Sequence, residues 1–367
     1  MGLRAGIVGL PNVGKSTLFN AITNSTVEAA NYPFATIEPN IGVVELKDSR
    51  IDEISKIIKP NKKMYATFEF TDIAGLVEGA SKGEGLGNKF LSNIREVDAI
   101  VHVVRCFDDP NITHVSGDVS PVDDVNIINL ELILSDLETI NNVLRRVEKK
   151  ALATNDKTLM SEMNLAKKVK EVLEEERFAR ECKLNDEELW LIKMWNLLTM
   201  KPILFVGNVS EEEISNPEKS KHFMQLQNIA KSMNVDVVPI SAKIEWEISQ
   251  LTEEDKKDFL TDLGITTSGL DKLSFASFKA LNLSTYFTAG VQEVRAWTFK
   301  NGMTAPQCAG IIHTDFEKGF IKASVISHND FVLNGGELGA KAKGLYRLEG
   351  KEYIMKDGDI CHFRFNN

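Results

Sequence analysis

The amino-acid sequence predicts an α/β protein: a mainly parallel sheet, a long helical insertion, and a small α+β domain at the end. Three observations support this prediction. A glycine-rich loop stands between a short apolar run and a helix-like run near the start of the chain. Strand-like apolar runs then alternate with helical or glycine-rich stretches, as they do in βαβ units. Between residues 126 and 200 the apolar residues recur at helical spacing instead.

The composition is that of an ordinary globular protein. The chain has 367 residues, of which 43% are hydrophobic and 26% charged, and this length allows two or three domains. A formal net charge of −10 argues against coating nucleic acid by bulk charge, although a local basic patch remains open. Four scattered cysteines without a C-x-x-C pair favour a reducing cytosol over a disulfide framework or a zinc site.

The sequence also predicts where the protein works. No apolar run approaches the roughly 20 residues that a membrane-spanning helix needs. The first residues lead directly into a predicted strand, so we expect no signal peptide. We therefore expect a cytoplasmic protein, monomeric, with neither membrane nor DNA as a partner.

The glycine-rich loop has the sequence Gly9-Leu-Pro-Asn-Val-Gly14-Lys15-Ser16. A predicted strand before it and a predicted helix after it are the context that a phosphate-binding loop requires. In such a loop backbone N–H groups turn towards phosphate, Lys15 would reach the β- and γ-phosphates, and the Ser16 hydroxyl would bind Mg²⁺. The loop predicts a nucleoside triphosphate site, and the alternative is an ordinary glycine turn before a helix.

Two further segments complete the predicted phosphate and metal site. Asp72-Ile-Ala-Gly75 follows a predicted strand over 64–71, so Asp72 could hold Mg²⁺ and Gly75 could offer its N–H to the γ-phosphate. Thr36 lies in a predicted connection over 31–40 and could close over Mg²⁺ as a switch. A simple loop threonine is the alternative for Thr36. The predicted Mg²⁺ ligands are Ser16, Thr36 and Asp72.

The base-binding loops argue against guanine specificity. Asn208-Val-Ser-Glu211 follows the predicted strand 202–206, where guanine-specific proteins carry N-K-x-D. The aspartate of that motif accepts hydrogen bonds from guanine N1–H and the 2-amino group, and a site built on it rejects adenine. Here Val209 replaces the lysine and Glu211 the aspartate. Ser241-Ala-Lys243, after the next predicted strand, matches the loop that lies along the base.

The predicted insertion is a hairpin of two antiparallel helices with its turn at 154–156. Its charges fit either a solvated face or a docking surface. The apolar stripes that predict it are Leu130, Leu134, Leu137, Ile140, Leu144 and Val147, and then Leu165, Val169 and Val172.

From residue 283 the pattern predicts a separate small domain. It predicts a strand over 291–299, a turn at Asn301-Gly302, a helix over 305–313, and short strands around Val332, Leu345 and Tyr353. Ten Lys and Arg against nine Asp and Glu over 283–367 favour contact with RNA only weakly, and a solvated surface is the alternative.

With these motifs the chain resembles the YchF subfamily of Obg-like P-loop NTPases, a translation-factor class. The resemblance is carried by residues 9–17, 31–36, 72–88, 208–211 and 241–247. It implies a Ras-like P-loop domain over 1–282 with a coiled-coil insert at about 126–200, and a C-terminal TGS (ubiquitin-like) domain over 283–367. It also implies that ATP is preferred over GTP and is hydrolysed slowly, and that the protein associates with ribosomes.

Motifs and resemblance together predict the site residues. Mg²⁺ is the expected cofactor and K⁺ a candidate second ion, and Lys15 and His114 are the candidate catalytic residues. The predicted nucleotide-binding residues are Asn12, Val13, Gly14, Lys15, Ser16, Thr17, Gly75, Asn208, Val209, Glu211, Ser241, Ala242 and Lys243.

The attacking water poses a problem. Ras-type proteins orient it with a glutamine after D-x-x-G, but here Leu76 stands in that position. A monovalent cation bound through Asn12 is one candidate replacement. His114, in the loop after the predicted strand 99–104, is the other, because a neutral imidazole can orient water. A histidine that merely caps its own loop is the alternative.

Three functions compete at this point. One is a ribosome-associated regulatory ATPase, and another is a nucleotide-gated binding module whose hydrolysis is incidental. A small-molecule kinase is disfavoured, because it needs an acceptor site and a lid rather than a D-x-x-G switch with base loops.

Overall fold

The computed structural model describes residues 3–25, 40–73, 86–112 and 118–366, so Thr36, Gly75, Leu76 and His114 lie outside the described residues. The strands, in chain order, are β1 (Arg4–Val8), β2 (Ile41–Leu46), β3 (Lys62–Met64), β4 (Ala66–Asp72), β5 (Ala99–Arg105), β6 (Ile203–Asn208), β7 (Val237–Ile240), β8 (Leu283–Ala289), β9 (Glu293–Lys300), β10 (Phe320–Ser327), β11 (Arg347–Glu349) and β12 (Asp359–Phe365).

Helices connect most of these strands. None of the described helices is long and apolar enough to cross a membrane. The helices are α1 (Lys15–Asn24), α2 (Ser49–Ile58), α3 (Leu86–Arg95), α4 (Pro121–Thr154), α5 (Lys157–Glu174), α6 (Asp186–Lys193), α7 (Lys221–Ser232), α8 (Ala242–Ser249), α9 (Glu253–Asp262), α10 (Gly269–Ala280), α11 (Ala305–Ile312), α12 (Thr314–Lys318), α13 (His328–Leu333) and α14 (Glu337–Ala342).

The described chain divides into two compact units. The first contains residues 3–25 and 40–42 and the described part of 69–273. The second contains 43–68 together with 274–366, so a segment from the first part of the chain belongs to the same unit as the C-terminal region. The predicted domain boundary at 282/283 falls inside this second unit, between α10 and β8.

The sheet that carries β1 has the strand order β2-β4-β1-β5-β6-β7. Pairing is parallel from β4 through β1, β5 and β6 to β7. Parallel strands bring their carboxyl ends to one edge, where open α/β sheets bind ligands. The residues that follow β1, β5, β6 and β7 therefore meet at this edge, together with Asp72 at the end of β4.

The α4–α5 hairpin runs between β5 and β6. Only two residues, 155 and 156, separate the two helices, and the chain turns at Asn155 with φ of 51°. Ion pairs of Arg146 with Glu162 and of Lys167 with Glu148 join the helices side by side, so they form an antiparallel hairpin. The hairpin begins at Pro121, five residues before the predicted limit, because Ser120 caps α4 and Pro121 is its first residue.

The buried face of α4 matches the predicted apolar stripe only in part, since Ile140 and Val147 are buried as predicted. Leu130 is exposed, whereas Asp136 is fully buried. The Asp136 carboxylate accepts hydrogen bonds from the backbone N–H of Leu198 at 2.9 Å and of Thr199 at 2.7 Å, and from the Thr199 hydroxyl at 2.6 Å. Sequence periodicity missed Asp136 because a buried carboxylate is satisfied by partners that lie far along the chain.

The second unit is built on a sheet of order β11-β10-β12-β8-β9-β3. The apolar side of this sheet packs against α11 in a core that includes Tyr286, Phe299 and Phe363. The predicted strand over 291–299, the turn at Asn301-Gly302 and the helix over 305–313 agree with β9, the turn after it, and α11.

Three sequence predictions about strands were wrong. Tyr353 lies between β11 and β12, where a single β-bridge joins its neighbour Ile354 to Thr304. The run 64–71 is not one strand: β3 ends at Met64 and pairs with β9, whereas β4 begins at Ala66 in the other sheet. Tyr65 marks the break, with its hydroxyl 2.8 Å from Asp52 Oδ1. Val332 lies in helix α13, because Ser327 accepts a hydrogen bond from the Asp330 N–H and starts a helix there.

Candidate nucleotide-binding site

The phosphate-binding loop joins β1 to α1, as its sequence predicts. Gly14 has φ of 92°, a left-handed conformation that favours glycine. A Cβ atom at Gly14 would lie 2.2 Å from Asn208 Nδ2, and a Cβ atom at Gly9 would lie 2.7 Å from the Val103 carbonyl oxygen. Both motif glycines are therefore required on steric grounds as well as for ligand approach.

Lys15, the first residue of α1, is hydrogen-bonded to the end of strand β4. Its side chain is buried, and its ammonium donates to Asp72 Oδ1 at 2.5 Å and to the Ile73 carbonyl oxygen at 2.9 Å. This contact joins the start of α1 to the end of β4. A phosphate that binds Lys15 competes with Asp72 for the ammonium, and Asp72 then becomes available to a cation.

The chemistry of these groups fits a Mg²⁺ ion. Mg²⁺ prefers oxygen ligands and is usually held by one or two carboxylates, with phosphate oxygens and water completing its shell. Ser16 is exposed at the start of α1, and Asp72 lies against its neighbour Lys15. Among the described residues no group of three or more His, Cys, Asp or Glu could hold a metal ion, so an all-protein cage of these residues is not found there.

Asn208 connects the base loops to the phosphate-binding loop. Its side chain is buried; Nδ2 donates to the Val13 carbonyl oxygen at 2.8 Å, and Oδ1 accepts from the Ala242 N–H at 2.9 Å. The predicted role of Asn208 was contact with the base, and the structure adds this bridging role. The position of Ser241-Ala-Lys243 relative to Gly14 follows from these two hydrogen bonds.

A cavity of about 650 Å³ lies beside this bridge, within the size range of small-molecule sites. It brings together most of the predicted nucleotide-binding residues, from the phosphate-binding loop and from both base loops. Those that line it are Asn12, Gly14, Thr17, Asn208, Val209, Glu211, Ser241, Ala242 and Lys243.

The cavity also has lining residues that the sequence did not single out, in the loop after β5. Phe107 and Ile112 line it. Arg105 holds this loop, because its buried guanidinium donates to the carbonyl oxygens of Phe107 and Ile112, both at 3.0 Å, and of Asp109 at 3.2 Å. An arginine at the end of a buried strand is the signal that could have identified this anchor. The predicted residue His114 follows in the same loop, outside the described residues.

Glu211 and Lys243, one from each base loop, form an ion pair. Both side chains are exposed. The hydrogen bond to Glu211 and the negative charge of that carboxylate raise the pKa of the Lys243 ammonium. The carboxylate that replaces the guanine-reading aspartate is thus engaged by a lysine.

The buried carboxylate of Glu245 anchors the helix that follows the second base loop. Glu245, in the first turn of α8, accepts hydrogen bonds from the N–H groups of Gly269 at 2.6 Å and Leu270 at 3.2 Å. Burial raises the pKa of Glu245 from 4.5 to about 7, although the two backbone hydrogen bonds act in the opposite direction. Glu245 therefore links the helix after Ser241-Ala-Lys243 to the start of α10.

Fold and site together define a P-loop nucleotide-binding protein. Residues 4–160 match the profile of a family described as 50S ribosome-binding GTPase, and residues 283–366 match the profile of the YchF-type C-terminal region, described as a protein of unknown function. The Bacillus subtilis (strain 168) protein named ribosome-binding ATPase YchF is 56% identical over 366 residues, covering 100% of both chains. The Escherichia coli O157:H7 protein of the same name is 52% identical, again over 100% of both.

A solved structure agrees with these matches. The Schizosaccharomyces pombe YchF GTPase has a TM-score of 0.90 and 39% identity, covering 99% of this chain and 98% of that one. The chain belongs to the YchF family. The family resemblance and the assignment to the P-loop NTPases are therefore confirmed.

The raised pKa of Glu245 predicts that the free energy of unfolding depends on pH. The unfolded chain ionises this group near its ordinary pKa of 4.5, whereas the folded chain retains the proton up to about pH 7. Its contribution to stability is therefore full below pH 4.5 and falls by about 3 kcal/mol as the pH rises to 7. Glu245→Gln should flatten this part of the profile relative to the parent protein. Urea unfolding of both proteins from pH 4.5 to 8 tests it, and parallel profiles would contradict the assignment.

Proposed function

We propose that this protein is a ribosome-associated regulatory ATPase, which binds ATP in preference to GTP and hydrolyses it slowly to ADP and phosphate. The main observation behind the proposal is a cavity lined by the phosphate-binding loop and by both base loops. The hydrogen bonds of Asn208 hold these loops together beside it. The printed names of the relatives, ribosome-binding ATPase for the two bacterial proteins and GTPase for the yeast one, support the class. They differ on the nucleotide, so the residues must decide.

ATP preference rests on the Glu211–Lys243 ion pair. A guanine-specific site needs a carboxylate that is available to guanine N1–H and the 2-amino group, and here Lys243 engages it. Val209, which replaces the motif lysine, is buried. Neither feature offers guanine an advantage over adenine.

The metal and the water complete the proposal. Ser16, Thr36 and Asp72 would hold Mg²⁺, which neutralises phosphate charge when bound. Lys15 would move its hydrogen bond from Asp72 to phosphate. A K⁺ ion near Asn12 and the imidazole of His114 remain the two candidates for orienting the water.

We also infer that residues 283–367 form a TGS domain and that α4 and α5 form a coiled-coil insertion. A five-strand run of order β11-β10-β12-β8-β9 with α11 packed on it supports the first inference. The two-residue turn between α4 and α5 and the ion pairs that join them support the second. Both would supply contact surface for the ribosome.

Side-by-side titrations test the base preference. ATP should bind at least as tightly as GTP, and Lys243→Ala should shift the ratio towards GTP by about tenfold, because it releases Glu211 to face the base. Lys15→Ala, with its fold checked by circular dichroism, is the control without triphosphate binding. A clear GTP preference in the parent protein would contradict the proposal.

Steady-state turnover separates the two water-positioning candidates. If the ion acts, hydrolysis should be faster in K⁺ than in Na⁺ and Asn12→Ala should remove the difference. If His114 acts, His114→Ala should lower kcat by about 100-fold with little change in ATP affinity, because such a group works mainly in the transition state. Equal rates in the two salts reject the ion, and an unchanged kcat rejects the histidine.

Sedimentation with ribosomes tests the partner and the switch. Pelleting should differ between a non-hydrolysable ATP analogue and ADP, because nucleotide can redirect binding only if the two states differ in affinity for the partner. Lys15→Ala should lose the difference. Phosphate release should also rise when ribosomes are added. Nucleotide-dependent pelleting with unchanged turnover would favour the binding module with incidental hydrolysis, and absence of pelleting would refute the ribosome as partner.

A further inference from the structure

The loop after β5 forms one wall of the nucleotide cavity, and its backbone is fixed at several points. The guanidinium of Arg105 binds three carbonyl oxygens of this loop, and the Cys106 N–H donates to the Asn208 carbonyl oxygen at 2.8 Å. These contacts hold the course of the backbone but leave the side chains free to turn. The loop residues that line the cavity are Phe107, Asp108, Asp109 and Ile112.

The start of helix α7 contacts the same loop through two side chains. Ser220 is buried and caps α7 by accepting the Phe223 N–H at 3.4 Å, and its hydroxyl donates to the Cys106 carbonyl oxygen at 3.2 Å. His222 follows two residues later, and its Nε2 lies 3.3 Å from Oδ1 and 3.2 Å from Oδ2 of Asp108. Because Ser220 joins the start of the helix to the loop, the His222 ring is placed beside Asp108.

The hydrogen-bond geometry of His222 indicates which ring nitrogen carries the hydrogen. Nδ1 is buried and has no hydrogen-bond partner within the described part of the chain. The tautomer with hydrogen on Nε2 donates to Asp108 and leaves Nδ1 as a bare acceptor, which costs less to bury unpaired than an N–H group. We assign this tautomer from the contacts. The ring therefore acts on Asp108 as a hydrogen-bond donor at Nε2.

The Asp108 carboxylate is the mobile member of this pair. Its side chain is 78% exposed, whereas that of His222 is 19% exposed, so the histidine is the fixed partner. Like charges repel, so an anionic nucleotide fits best when the carboxylates of the cavity are held by partners. Lys243 engages one of them, as described above, and His222 engages Asp108. The carboxylates that line the cavity are Asp108, Asp109, Glu211 and Glu212.

We propose that His222 is a positioning residue of the nucleotide site, which fixes the wall formed by the loop after β5 by holding the Asp108 carboxylate. His222 is not among the residues that line the cavity and acts through Asp108. The proposal rests on the proposed function for the placement of the base in this cavity. It adds a residue that belongs to none of the phosphate, metal or base motifs.

The proposed role concerns the base rather than the phosphates. A wall that is already fixed costs less to order when a ligand binds. Loss of the His222 contact should therefore weaken ligands that occupy the cavity and spare ligands that need only the phosphate-binding loop. ATP and inorganic triphosphate, each with Mg²⁺, differ in this respect. A general effect on the fold would weaken both.

The test measures the affinity of the full chain for ATP and for inorganic triphosphate by calorimetric titration. His222→Phe removes the donor and keeps a ring, and His222→Gln keeps an N–H donor that can reach Asp108. The matched control is Ser232→Ala, which removes a 2.8 Å hydrogen bond to the Ile229 carbonyl oxygen at the other end of the same helix. Circular dichroism checks that every variant is folded.

The expected result is a selective loss. His222→Phe should bind ATP about fivefold more weakly, the effect of one lost hydrogen bond, and should bind triphosphate as the parent protein does. His222→Gln should recover most of the ATP affinity, and Ser232→Ala should match the parent protein. In an Asp108→Ala background, His222→Phe should have no further effect, because its partner is already absent.

Several outcomes would overturn the proposal. These are unchanged ATP affinity in His222→Phe, an equal loss for ATP and triphosphate, and an equal effect of His222→Phe with and without Asp108. A parent protein that prefers GTP would contradict the proposed ATP preference only. The positioning role would then stand if the affinity for GTP falls in His222→Phe while that for triphosphate does not.

Discussion

The buried side-chain amide of Asn208 is the interaction on which the nucleotide site depends. Its two hydrogen bonds, to the Val13 carbonyl oxygen and from the Ala242 N–H, fix three loops that follow different strands of one sheet. Both partners are backbone groups, so neither changes with the side chains around it. Gly14 must remain glycine partly because Asn208 occupies the space of a Cβ atom. Loss of this amide would leave buried backbone groups unpaired, which costs about 1–3 kcal/mol for each group, and would release the base loops from the phosphate loop.

Lys15 and Asp72 form an ion pair at the candidate phosphate site, and each would exchange this partner for another when nucleotide binds. The Lys15 ammonium donates to Asp72 Oδ1 at 2.5 Å. In the proposed nucleotide complex the lysine would bind phosphate and the aspartate would bind Mg²⁺. Nucleotide binding would then replace one ion pair with two contacts, and the buried charge of Lys15 would keep a partner. Because Asp72 ends β4 and is the first residue of the D-x-x-G segment, this exchange would act on the chain at the point where a γ-phosphate sensor would begin.

The sequence was sufficient for several structures that depend on neighbours in the chain, although it missed the local cap at Ser327 that starts α13. The phosphate-binding loop, the strands β5 and β6, and α11 all follow from local periodicity and glycine placement. It was insufficient where distant partners decide. Asp136 is buried because Leu198 and Thr199 satisfy it, and β3 separates from β4 because β9 pairs with it. Arg105 was missed for the same reason, since its role appears only when the loop after β5 closes around its guanidinium.

The helical hairpin is inserted between two neighbouring strands of the nucleotide-binding sheet, β5 and β6. It leaves the sheet after the loop that Arg105 organises, and it returns to β6, which ends at Asn208. Asp136 ties α4 to the segment just before β6, so the base of the hairpin is held by buried hydrogen bonds. A partner bound near the turn at Asn155 would therefore act on a helix whose base is held by buried hydrogen bonds. Such a partner can alter turnover only if α4 can adopt two positions that affect the loop after β5 differently. His114 lies in this loop in the sequence. The coupling also requires the partner to bind the two positions with different affinity.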